Sequence, residues 1–106
     1  PSKSPEQIER WVEEARSGSR ESLGMALESF RALLLRIANE ELDPLARVKG
    51  GASDLVQETF LAAHRSFLHF NGSSDAELRA WLRQLLRHHL SKVVRRYRTT
   101  RKRGLH

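Results

Sequence analysis

Five histidines, thirteen carboxylates and no cysteine are the side chains from which this chain could build a reactive centre, and their spacing builds none. His64 and His69 stand five apart and His88 and His89 are adjacent, so neither pair has the i, i+4 spacing that sets two imidazoles on one metal. Without cysteine there is no thiolate ligand, thiol nucleophile or disulfide framework. Gly50-Gly51 lacks the Lys-Ser or Lys-Thr that follows the glycines of a phosphate loop. The sequence therefore predicts no catalytic residue, no metal site and no cofactor. Its spacing points instead to the chemistry of charge against charge. Residues 79–106 carry ten Lys or Arg and no acid, whereas residues 1–78 carry nine against thirteen acids, so a +10 segment follows a −4 body. That asymmetry is the footprint of a binder of nucleic acid or anionic membrane; the alternative is a solubilising tail.

Three constellations give this chemistry a place. On a helix drawn through 75–98, Gln84, Arg87, His88, Ser91, Arg95 and Arg98 fall on one strip, with Lys92 at its edge. Arg and Lys there can meet phosphates while Gln, His and Ser reach base edges. A plain solvated face is the alternative, although such faces usually mix signs and this one holds no acid. On a helix through 54–69, Gln57, Leu61, His64 and Leu68 share the face opposite Val56, Phe60, Ala63 and Phe67, beside Asp54, Glu58 and Arg65. Two leucines turned from the core are either ordinary exposure or anchors for a partner helix. Between the two helices, Phe70-Asn71-Gly72-Ser73 sets an aromatic ring beside polar groups, which suits an unstacked base. Phe70 could equally close the core.

The elements that position these residues are read as helices. Ser4 caps and Pro5 opens a helix over 5–17 that stops at Gly18; a second, over 20–42, buries Leu23, Leu27, Phe30, Leu34 and Ile37 until Asp43-Pro44. Asp43 to Ala52 reads as a loop, and Ser53 with Asp54 caps the third helix. Ser74 with Glu77 forms a capping box for the fourth, whose apolar face is Leu78, Trp81, Leu82, Leu85, Leu86 and Val93. Trp11 and Trp81 lie on apolar stripes and read as core. The fold class is all-α, a single compact bundle of about four helices with a long basic C-terminal helix. No run of about 18 uncharged apolar residues is present, and a cytoplasmic location is the default. A start at Pro1, with neither initiating Met nor signal-peptide pattern, is what an excised or processed segment would show.

Asp54-Leu55-Val56-Gln57-Glu58-Thr59-Phe60, followed after the Phe70-Asn71-Gly72 turn by Arg79-Ala80-Trp81-Leu82 and a run of arginines, resembles region 2 of sigma-70 family sigma factors. The extracytoplasmic-function (ECF) type is the most similar, over most of residues 19–103. The resemblance implies a non-enzymatic domain over 1–103, with 99–106 a basic linker or tail, that recognises and melts the promoter minus-ten element. It implies that Asp54, Gln57, Glu58, Leu61, His64, Arg65 and Leu68 dock on the clamp helices of the beta-prime subunit of RNA polymerase core. Phe70, Asn71, Gly72 and Ser73 would hold a base flipped from the non-template strand, and Gln84, Arg87, His88 and Ser91 would face promoter DNA, with Arg95 and Arg98 continuing the strip. An anti-sigma regulator is a further partner such factors can have. His88 stands where the family often has Asn, Lys92 where it often has Asp, and the stretch from Phe70 to Leu78 is longer than usual. A basic helical RNA-binding module would share the last helix without needing the Gln57 and Leu61 face. A membrane-surface helix would set leucines opposite the arginines, and Leu82, Leu85 and Leu86 do lie there; that reading would leave the folded domain without its core, and no membrane partner is expected.

Overall fold

The computed structural model describes residues 3–42 and 51–104, with side chains described as far as Arg95. Helix α1 spans Pro5–Arg16: the Ser4 hydroxyl accepts the Gln7 N–H at 3.2 Å, and Pro5 fills the first turn, where a missing N–H costs nothing. It ends at Ser17-Gly18, where Gly18 takes φ 110°, a left-handed conformation that a Cβ would disfavour. Ser19 then caps α2, Arg20–Glu28, through the Ser22 N–H at 3.0 Å.

The helix expected over 20–42 is broken. The Ser29 hydroxyl donates back to the Met25 carbonyl, Phe30 N–H closes a tighter turn on Leu27, and Phe30 at φ −107°, ψ 5° turns the chain into α3, Arg31–Glu41. The break lets both halves of one amphipathic stripe reach the core: Leu23, Ala26 and Leu27 before it, Phe30, Leu34 and Ala38 after it. Helix α4, Gly51–Ser66, also differs from expectation. It begins at Gly51, so Gly51 and Ala52 are helical and Ser53 and Asp54 lie within the first turn as part of the helix. Asp54 still sits favourably against the positive end of the helix dipole. The rest of the expected loop, residues 43–50, lies outside the described residues.

After α4 the chain tightens into a 3-10 turn, Phe67–His69, and then runs extended through Phe70 to α5, Asp75–Gly104. Helix α5 outlasts the expected end at residue 98, because neither proline nor glycine interrupts the backbone before Gly104. Leu78, Leu82 and Leu86 are fully buried and Leu90 nearly so, forming an i, i+4 ladder that sets the rotation of α5. Deleting one such leucine would cost about 2–5 kcal/mol, so the ladder decides which residues α5 turns outward. Sequence periodicity missed Leu90 as well as Leu55 and Thr59, all buried; the Thr59 hydroxyl is satisfied by the Leu55 carbonyl at 2.8 Å. Among the described residues there is no strand, and no helix is long and apolar enough to cross a membrane.

Candidate functional site

The turn between α4 and α5 is held from two sides. On the α5 side the capping box forms as its residues predict: Ser74 Oγ accepts the Glu77 N–H at 3.1 Å, and Glu77 Oε1 accepts the N–H groups of Ser73 and Ser74 at 2.9 and 3.1 Å. Those backbone bonds, then the Ser74 hydroxyl, hold the Glu77 carboxyl below its ordinary value. On the other side Arg16, from the last turn of α1, donates from Nη2 to the carbonyls of Phe70, at 2.7 Å, and Gly72. Its guanidinium lies 5.7 and 5.4 Å from the ring centroids of Phe67 and Phe70, worth about 0.5–1 kcal/mol per contact at an exposed position. Gly72 fits only because it has no side chain. A Cβ there would stand 2.7 Å from the Glu77 Cβ and 2.8 Å from two atoms of the Phe70 ring.

The ring of Phe70 belongs to the core. It is 6% exposed and stacks on Trp81 with centroids 4.9 Å apart, while Phe67 lies 6.0 Å away. The expectation that this ring offers a free stacking platform is therefore corrected: the core takes its faces. Asn71 and Ser73 are exposed, and within the described residues neither side chain has a hydrogen-bond partner.

On α5, Gln84, Arg87, His88, Ser91 and Arg95 are all exposed, and so are Arg79, Arg83 and Lys92. The Arg98 side chain lies outside the described residues. Ser91 Oγ donates to the His88 carbonyl at 2.9 Å, so its oxygen is the part left to accept a bond. His89 points the other way, half-buried. Burial lowers its pKa, opposed by Glu58 of α4, whose carboxylate lies 3.9 Å from Nδ1; His88 and Lys92 add to the lowering.

The outer face of α4 carries Asp54, Gln57, Glu58, Leu61, Arg65 and, beyond it in the 3-10 turn, Leu68, all exposed; His64 is half-buried. Leu61 is 44% and Leu68 92% exposed. With Met25 of α2 at 45%, they are the exposed large hydrophobic residues among those described. Met25 and Leu61 both line an open groove of about 340 Å³, together with Gly24, Gln57, Phe60 and His64. Arg31 roofs the Phe60 ring at 4.9 Å and is held by Glu28 through a two-pronged ion pair at 2.7 and 2.8 Å. His64 has its pKa lowered, first by burial and then by Arg20. Among the described residues no group of three or more metal-type ligands gathers.

The family model for Sigma-70 region 2 matches residues 26–102. The chain belongs to that family. No curated protein and no solved structure matches it significantly. Sigma-70 region 2 domains bind RNA polymerase core and recognise the promoter minus-ten element in transcription initiation. In this region 2 domain the cationic strip and the outer face of α4 lie on separate helices that share the core, with the 70–74 segment between them.

Sequence reasoning missed two contributors to these surfaces. Arg16 carries no local mark of its role, because its partner Phe70 is 54 positions away in the chain. Met25 did carry a signal: it departs from the Leu23, Leu27 and Phe30 stripe, as Leu61 departs from its own. Both of those apolar residues point into one groove only because α2 and α4 pack side by side.

Proposed function

We propose that this chain is the region 2 domain of an ECF-type sigma factor and that α1 belongs to the same functional unit, giving a domain over 1–103. The outer face of α4, with Asp54, Gln57, Glu58, Leu61, His64, Arg65 and Leu68, docks on the beta-prime clamp helices. The neighbouring groove that Met25 shares extends that surface. What carries the reading is the pair Leu61 and Leu68, large apolar side chains left in water on a face the core does not use. The strip of α5 formed by the exposed Gln84, Arg87, His88, Ser91 and Arg95, together with Arg98, tracks the promoter duplex, its arginines meeting phosphates in a segment whose sequence holds no acid after residue 78.

The turn receives one base extruded from the non-template strand of the minus-ten element. Extrusion costs a few kcal/mol of unstacking, which hydrogen bonds to the base edge must offset. With the ring of Phe70 enclosed, those bonds fall to Asn71 and Ser73, and Phe70 and Gly72 shape the backbone beneath them. The domain works by binding and needs no catalytic side chain, metal or cofactor; an anti-sigma regulator would compete for the α4 face. The test is binding to polymerase core: Gln57→Ala with Leu61→Ala should weaken it at least tenfold while helical circular dichroism is unchanged. Full affinity in the folded double variant would remove the docking assignment.

A further inference from the structure

We propose that Arg16 is a positioning residue for base recognition: α1 reaches across to the 70–73 turn and holds it in one path, so that Asn71 and Ser73 meet the base already ordered. This rests on the reading of the turn as the base-binding element and adds to it a residue that lies outside the matched family segment of 26–102. The Arg16 guanidinium donates to the carbonyls on both sides of Asn71, those of Phe70 and Gly72. It also covers the Phe67 and Phe70 rings on which the turn rests. A second contact from α1 reaches the far end of the segment, where the Glu9 carboxylate accepts the Asp75 N–H at 3.4 Å. Opposite Arg16, Glu77 takes the N–H groups of Ser73 and Ser74. The backbone around Asn71 is thus pinned by a cation on its carbonyls and an anion on its amides.

Helix α1 is itself rigidly seated. Ile8 and Val12 are buried, and the Ser22 hydroxyl donates to Glu14. A turn fixed before binding loses little freedom when the base arrives, whereas a loose one would forfeit the preference for a particular base and keep its phosphate contacts. Arg16 Nη2 is engaged by the protein's own carbonyls, those of Phe70 and Gly72.

The experiment uses the whole chain on RNA polymerase core and a set of single-stranded minus-ten oligonucleotides varied one base at a time. Arg16→Met keeps an apolar stem over the rings and removes donors and charge. It should speed amide exchange across residues 70–74 and reduce preference at one base position roughly five- to tenfold, the loss of about one net hydrogen bond. Core binding and the salt dependence of DNA binding should not move, and Arg16→Lys should restore part of the preference. Asn71→Ala with Ser73→Ala provides the internal comparison. If that pair abolishes the preference while Arg16→Met leaves it intact, the turn binds the base and the role of Arg16 is overturned. If the pair itself has no effect, the base-binding reading fails and the proposal with it. A uniform loss across all oligonucleotides with a shallower salt slope would make Arg16 a phosphate contact and overturn its positioning role.

Discussion

Gly72→Ala adds a single methyl group to an exposed turn, yet it should destabilise the whole domain. The new Cβ would lie 2.7 Å from the Glu77 Cβ and 2.8 Å from Cε1 and Cζ of Phe70, where ordinary contact begins near 3.4 Å. Relief requires a shift of about 0.6–0.7 Å from one side. The Phe70 ring cannot yield freely, being 6% exposed and stacked on Trp81 at 4.9 Å with Phe67 behind it. Movement of the backbone instead would pull the Gly72 carbonyl from Arg16 and the Ser73 N–H from Glu77. Backbone strain plays no part, since Gly72 is not in the left-handed region. Overpacking of this kind costs about 1–3 kcal/mol, or roughly 4–8 °C in Tm for each kcal/mol in a domain of about this size. Urea and thermal unfolding followed by circular dichroism would measure it, in a double-mutant cycle with Phe70→Leu. If the ring is the obstacle, the alanine should cost much less in the leucine background, with a coupling of about 0.5–3 kcal/mol. Unchanged stability in Gly72→Ala would refute the steric argument; an equal cost in both backgrounds would move the obstacle from the Phe70 ring to the Glu77 Cβ.

The opposite sign is expected at Gly24, in the interior of α2, where an added Cβ meets nothing within 4 Å: Gly24→Ala should stabilise by about 0.5–1 kcal/mol in the same unfolding assay. Stability should fall with acid through His89 and His64, whose folded pKa values lie below the ordinary 6.5 chiefly because of burial. For such groups the unfolded chain binds the proton first, so their contribution is present above about pH 6.5 and is lost as pH falls through the folded values; His89→Gln with His64→Gln should flatten the pH profile of urea midpoints in that range. Arg87→Ala should reduce the slope of log affinity against log salt for promoter DNA by about one unit and weaken all sequences alike. An unchanged slope would return Arg87 to the role of a solvated side chain.

Much of this protein follows from residue type and local order alone. Ser4-Pro5 and Ser74 to Glu77 announce helix starts because capping is settled within four residues, and both form as their side chains require. The gathering of ten Lys and Arg and no acid after residue 78, and the setting of Leu61 and Leu68 opposite Val56 and Phe60, follow from the order of residues and from helical geometry. Boundaries were less legible. The break at Ser29-Phe30 interrupts a stripe that reads as continuous, because it depends on where α2 and α3 must each deliver their apolar faces. Helix α4 starts at Gly51, ahead of the capping residues at 53 and 54, a case of tertiary context outweighing local preference.

What only the tertiary structure decided is how distant segments share one surface. By residue type Phe70 suits a base or the core equally, and only the fold stacks it against Trp81, eleven residues on. Arg16 lies in a short amphipathic helix with nothing near it in sequence to mark it, and folding alone sets its guanidinium against the carbonyls of Phe70 and Gly72. Periodicity reports which way a side chain leaves its own helix. It carries no information on which other helix waits there, because that depends on the packing of buried side chains summed over the whole core.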